Sequence, residues 1–262
     1  LKIKAYIASQ LLDIKKKYAQ PRRSQLIGAD EIVAYNEEDH VENYNVKLYL
    51  TKEGYFKKIT LQSLRGNDEQ KLKEGDELVS VIETDNLANL VFVTNKCQLY
   101  KIKCDEFDCI KASALGDFLP IKLDMDEGEK PVFMKVQNSY PEKENFIFIF
   151  ENGKGVRVPA SCYETKGNRK KLINAYSDKS PLVAAYYIND DTDFVIKSTS
   201  GRLLLFNSGA IASKTTKNTQ GVAVMSLKKG HRIALDGRLE VRTWQDNEGK
   251  TRSSTEVIVE NW

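Results

Sequence analysis

Along the first twenty residues apolar side chains return at helical spacing. Ile3, Ile7, Leu11 and Ile14 form one stripe, continued by Tyr18, in a stretch otherwise rich in lysine. The pattern predicts a helix that Pro21 ends, because a proline ring blocks the preceding helical turn. Beyond it the period changes. Short runs rich in Val, Ile, Phe and Tyr alternate with Gly, Asn, Asp and Lys, which predicts strands to the end of the chain.

These strands repeat. VKLYLTKEGYFKKI (46–59), LVFVTNKCQLYKI (90–102), FIFIFENGKGVRV (146–158) and FVIKSTSGRLLLF (194–206) each run an apolar strand into a tight turn and out along a second strand. The turns, at Gly54, Cys97, Gly153 and Gly201, stand 43, 56 and 48 residues apart, the spacing of blades in a propeller-like array. The first strands are apolar on both faces, as suits strands sandwiched between neighbouring blades. In the second strands Ile59, Ile102, Val158 and Phe206 form an apolar column, and Lys58, Lys101 and Arg157 precede it in three copies. Alternation puts the two columns on opposite faces. The expectation is a ring of cations on a disc, set against the plainer alternative of lysines that only solubilise exposed strands.

With 262 residues, 41% of them hydrophobic, the chain can bury a substantial core. No run of about 18 apolar residues could span a bilayer, and a soluble cytoplasmic protein is expected, with no membrane partner. Cys97, Cys104, Cys109 and Cys162 match neither a redox pair nor a zinc spacing. His40 and His231 stand far apart, so no metal, cofactor or catalytic histidine is expected. The net charge of +3 averages over segregated blocks: residues 1–27 carry seven Lys/Arg against Asp13, and residues 28–45 carry six acids and no Lys or Arg.

Four segments carry a resemblance: IKKKYAQPRRSQLI (14–27), LYLTKEGYFKKITLQSLRG (48–66), GNRKKLINAYSDKSPLV (167–183) and KTTKNTQGVAVMSLKKGHRI (214–233). In this order, on a blade-length repeat, they resemble the C-terminal domain of the A subunits of bacterial type IIA topoisomerases, gyrase and topoisomerase IV. The resemblance implies a mainly β fold, a β-pinwheel whose basic rim bends double-stranded DNA. It also implies two partners, the A-subunit core and the ATPase B subunit. Residues 1–27 would be the helix joining that core, and 28–233 the pinwheel. Lys57, Lys58, Arg65, Lys101, Lys103, Arg157, Arg169, Lys170, Lys171, Lys214 and Lys217, on or just after the hairpins, are the expected phosphate contacts.

The chain departs from the family pattern in two ways. Gyrases carry a Gln-Arg-Arg-Gly-Gly-Lys-Gly box after the first hairpin, whereas QSLRGNDEQK (62–71) keeps only Gln62, Arg65 and Gly66. That tilts the resemblance toward topoisomerase IV. In the family DNA is cleaved through a tyrosine that follows an arginine; no Arg-Tyr dipeptide occurs here, nor a Gly-rich phosphate loop, so this chain alone is expected neither to cleave DNA nor to hydrolyse ATP. A propeller serving as a protein-interaction platform is the alternative function.

Residues 234–262 resemble the central hairpin of bacterial single-stranded DNA-binding proteins, in DGRLEVRTW, QDNEGKTR and STEVIVEN. In that family the residue at the place of Trp244 stacks on a base. Three readings stay open: a fusion artefact, a divergent blade in which ALDGRLEVR echoes STSGRLLLF (198–206), or a contact with single-stranded DNA through Trp244, Arg238, Arg242, Lys250 and Arg252.

Overall fold

The structure is a computed structural model. It describes residues 2–20, 24, 28, 41–66, 68–165, 169–245 and 251–261, with side chains described as far as Ile233. Arg22, Arg23 and the boundary expected after residue 27 lie outside the described residues, as do the side chains of Arg238, Arg242, Trp244, Lys250 and Arg252. The chain divides into two compact units, Leu1–Val41 and Glu42–Trp262. In the first, helix α1 (Lys2–Tyr18) has the predicted extent, and none of its residues is buried.

Among its described residues the second unit holds four antiparallel sheets of four strands each. Sheet I runs β3 (Leu78–Asp85), β1 (Asn45–Thr51), β2 (Tyr55–Thr60), β6 (Asp117–Phe118). Sheet II runs β10 (Lys171–Leu172), β5 (Leu99–Lys103), β4 (Asn89–Thr94), β7 (Pro131–Val136). Sheet III runs β11 (Leu182–Ile188), β8 (Asn145–Phe150), β9 (Lys154–Pro159), β14 (Val222–Ala223). Sheet IV runs β13 (Leu203–Asn207), β12 (Asp193–Ser198), β15 (Ile233–Gln245), β16 (Thr251–Asn261). The predicted hairpins β1–β2, β4–β5 and β8–β9 are the centres of sheets I to III, β12–β13 lies at one edge of sheet IV, and the fold is the mainly β array of blades that the repeat predicts.

Each of the first three sheets borrows its outermost strand from chain that lies beyond the next hairpin. The bond that locks it is the same each time: the turn carbonyls of Gly54, Cys97 and Gly153 accept the backbone N–H of Leu119, Ala175 and Val224 at 3.0, 2.8 and 2.9 Å. Left-handed φ at the turns, +93° at Gly54 and +80° at Gly153, aims those carbonyls outward. At Gly153 a Cβ would stand 2.3 Å from the Met225 carbonyl oxygen, so the returning strand packs where only glycine leaves room.

Three cores lie between successive sheets. Leu48, Leu50 and Phe56 pack with Leu90, Phe92 and Tyr100. Val91, Val93 and Leu99 pack with Phe146, Phe148 and Val158. Ile147 and Ile149 pack with Phe194, Ile196 and Phe206. Residues of β4 and β8 thus alternate between two cores, which is why the first strands are apolar on both faces.

The tail is built into the array. Its first residues, in β15, pair with β12 from Ser198↔Ile233 to Phe194↔Arg238, the place that β3, β7 and β11 hold in the other sheets. The strand then continues as a long hairpin with β16 through Gln245↔Thr251.

Candidate nucleic-acid interface

The column of cations does not face solvent throughout. Lys58 is 2% exposed, and its Nζ donates to Asn86 Oδ1 at 2.7 Å and to the Cys104 carbonyl at 2.9 Å. Cys104 opens the 3₁₀ turn Cys104–Glu106 that follows the hairpin of sheet II. Lys101 Nζ donates to the carbonyl of Tyr163, last residue of the 3₁₀ turn Ala160–Tyr163 after the hairpin of sheet III, and to Thr165 Oγ1 at 3.2 Å. Arg157 Nη1 donates to Asp191 Oδ1 at 2.6 Å. The hydroxyl of Ser208, first residue of the 3₁₀ turn after the hairpin of sheet IV, reaches the same carboxylate oxygen at 3.5 Å.

Lys58 and Lys101 therefore bolt their own blades to the turn of the next, and Arg157 reaches the next blade through Asp191. The expectation of an exposed ring is corrected here, and the reason is the stacking itself. Where another blade follows, as it does for β2, β5 and β9, both faces of the second strand are covered, so the face opposite the apolar column is another interface. Lys57 is likewise turned inward and fully buried, donating to the carbonyls of Lys71 at 2.6 Å and Ala112 at 3.1 Å. Burial, and then the charge of Lys71, lowers its pKa. With Tyr49, whose hydroxyl donates to Asp68 at 3.1 Å, Lys57 holds the 62–71 segment against sheet I.

Four expected contacts do come together. Lys101, Lys103, Arg169 and Lys170 line a cleft of about 330 Å³ with Asn89, Ile102, Glu106 and Thr165. The strand edge shapes it: the Lys101 N–H donates to the Lys170 carbonyl at 2.7 Å, which draws the 169–171 segment alongside β5. Lys170 Nζ pairs with Glu106 at 2.5 Å, and Arg169 is exposed. Burial, followed by the nearby charge of Lys217, pushes the Lys101 ammonium down to about 8. Lys101 lies over the Tyr140 ring at 4.6 Å and Lys217 over the Tyr163 ring at 5.6 Å. No sequence pattern singles out these two rings, since they come from segments that only the blade interface joins.

The other expected contacts stand apart. Lys171, on the edge strand β10, bonds to Asp126 at 3.2 Å, and its pKa is raised by the Tyr100 hydroxyl and then by that carboxylate. Arg65 is exposed beyond the one-turn helix Leu61–Leu64, whose Thr60 cap accepts the Ser63 N–H at 3.3 Å. Lys214 is exposed, with its N–H donated to the Arg157 carbonyl. Trp244 is opposite Arg252 in the β15–β16 register. Among the described residues no three His, Cys, Asp or Glu side chains group to hold a metal ion, and no helix is long and apolar enough to cross a membrane.

Comparison with known proteins agrees with this architecture. The family described as DNA gyrase C-terminal domain, beta-propeller, matches residues 62–85 and 192–234, and the single-strand binding protein family matches 214–262. The DNA gyrase A subunit of Borreliella burgdorferi is 22% identical over 231 residues, 86% of this chain. The DNA topoisomerase 4 A subunit of Staphylococcus epidermidis is 26% identical over 227 residues, again 86% of this chain. The chain spans 28% of the length of either relative. A solved C-terminal domain of DNA topoisomerase IV superposes with a TM-score of 0.67 at 20% identity, covering 81% of this chain and 68% of that one. A DNA gyrase A C-terminal domain gives 0.52 at 19% identity, covering 80% and 71%. In sequence over most of its length, and in fold, this chain is akin to the C-terminal β-pinwheel domains of the DNA gyrase and topoisomerase IV A subunits.

Proposed function

We propose that this chain binds and bends double-stranded DNA without catalysing any reaction, as the C-terminal part of a cytoplasmic type IIA topoisomerase A subunit. The observation that carries the reading is the cleft where Lys101, Lys103, Arg169 and Lys170 converge, with Lys217 beside it. Lysine and arginine supply phosphate contacts without reading sequence, and each neutralised phosphate releases counterions. Arg65, Lys171 and Lys214 extend the contact along other blades. Lys57, Lys58 and Arg157 serve it indirectly, by holding the blades that carry the exposed cations. In this reading the A-subunit core and the ATPase B subunit supply cleavage and ATP hydrolysis.

The activity proposed for the parent enzyme is relaxation and decatenation rather than negative supercoiling. Its support is the 62–71 segment, where Ser and Leu or acids replace two basic residues of the box and Asp68 is engaged by Tyr49 and Lys47. The test is a gel-shift titration with duplexes of several lengths at low and high salt, followed by a topology assay with the assembled enzyme. Salt-independent binding would remove the DNA reading, and efficient supercoiling would remove only the topoisomerase IV assignment.

A second reading is favoured by the single-strand binding protein match over residues 214–262: the β15–β16 hairpin contacts single-stranded DNA through Trp244. Quenching of tryptophan fluorescence by oligothymidylate, lost in Trp244→Phe, is its expected signature. Unquenched fluorescence at saturating oligonucleotide rules it out.

A further inference from the structure

The two ends of the blade array are finished differently. The outer face of sheet I is capped by its own chain: Tyr49 and Ile59 pack with Ala112, Leu64 and Ile110, and Lys57 ties the 70–71 segment across it. Sheet IV has no such cap among the described residues. Its strand β13 is the terminal strand of the sheet, at the edge that β6, β10 and β14 cover in the other three. Leu205 holds the place of Lys58, Lys101 and Arg157, and Leu203 the place of Phe56, Leu99 and Gly155, by alignment on the turn residue and the apolar column. Those six residues face the next blade. Leu203 and Leu205 are 66% and 56% exposed.

The position that bolts one blade to the next is thus leucine where no next blade follows in the described residues. Stacked repeats need a polar outer face on the terminal unit to stay apart, and the strand Leu203–Asn207 contains none of the charges or prolines that guard exposed strands. Along β12 and β13 the cross-strand register places charge at the two ends of this face: Lys197 pairs with Leu203, and Asp193, which accepts the Asn207 side-chain N–H at 2.7 Å, with Asn207, both charged residues exposed, with Leu205 between them opposite Val195. A two-fold axis lying over the Val195–Leu205 pair, parallel to the sheet and perpendicular to the strands, brings Lys197 of one copy to Asp193 of the other, Leu205 to Leu205 and Leu203 to Asn207, with Val195, 9% exposed, beneath the axis. The patch is self-complementary, as an isologous interface requires.

We propose that the β12–β13 part of the outer face of sheet IV is a docking surface for the same face of a second copy of this chain, forming a weak two-fold dimer centred on Leu205 with Leu203 beside it. The patch comprises Asp193, Val195, Lys197, Leu203 and Leu205, against roughly 20–30 residues a side in a stable complex, so association is concentration-dependent rather than permanent. The inference does not rest on DNA binding.

Sedimentation equilibrium of the full chain without DNA, from low to high micromolar concentration, tests it. The weight-average mass is expected to rise from 29.8 kDa toward twice that value. Leu205→Lys, which installs the residue type of the other blades at an exposed position, is expected to hold the mass at the monomer value. Lys197→Asp alone is expected to weaken association, and Lys197→Asp with Asp193→Lys to restore it. A wild-type chain monomeric at every concentration overturns the proposal and leaves the face to a different occupant. A dimer that survives Leu205→Lys overturns it equally, because its contact is then elsewhere.

Discussion

Replacing Lys58 with methionine separates a structural bolt from a DNA contact. The ammonium donates two hydrogen bonds, to Asn86 Oδ1 at 2.7 Å and the Cys104 carbonyl at 2.9 Å, in a site that is 2% exposed. Hydrogen bonds from a charged group contribute about 1.5–3 kcal/mol each, and a buried acceptor left bare costs on the order of 1–3 kcal/mol. Against this, the variant no longer desolvates an ammonium, which offsets several kcal/mol. The net expected loss is about 2–3 kcal/mol, since methionine matches the aliphatic stem but satisfies neither acceptor. In a unit spanning residues 42–262 each kcal/mol moves the melting temperature by about 2–4 °C, so a fall of roughly 5–10 °C is expected. The assay pairs thermal unfolding by near-ultraviolet circular dichroism with duplex affinity measured well below the transition. Affinity should stay near that of the parent. An unchanged melting temperature together with an affinity loss as deep as that of a cleft variant would refute the bolt.

Three further outcomes follow from the same geometry. Arg169→Ala with Lys170→Ala should leave stability within about 0.5 kcal/mol and lower the slope of log affinity against log salt by about 1.8, read from titrations at several salt concentrations. Because the Lys101 ammonium loses its proton near pH 8 when folded and near 10 when unfolded, the unfolded chain binds more protons between those values, so Lys101 makes stability rise with pH there. Duplex affinity should fall over the rise from pH 7 to 9, and Lys101→Met should abolish that step in fluorescence anisotropy. Gly153→Ala should cost more than Gly75→Ala in urea unfolding. Both glycines have left-handed φ, worth about 1–2 kcal/mol of strain, but only at Gly153 does the added carbon meet a carbonyl oxygen, at 2.3 Å.

The helix over Lys2–Tyr18, the four hairpins and their turns at Gly54, Cys97, Gly153 and Gly201 are all legible in the order of residues. Those features depend on neighbours in the chain: a 3.6-residue period, runs of β-branched and aromatic residues, and turn positions that take positive φ. The strands apolar on both faces, which mark a stacked array, are legible in the same way. What the repeated cations do is settled only by the packing of blade on blade. Alternation predicts which residues share a face of a strand, but whether that face meets water or another blade depends on segments 34 to 62 residues away, Cys104 for Lys58, Tyr163 for Lys101 and Asp191 for Arg157. The borrowed outer strands β6, β10 and β14 are two residues long, too short to leave a period, and they are held where a distant turn carbonyl accepts the N–H of a residue just after each strand, Leu119, Ala175 and Val224. The cleft that gathers Lys101, Lys103, Arg169 and Lys170, and the uncapped leucines of sheet IV, are likewise products of which blade follows which, a matter of burial between elements far apart in the chain.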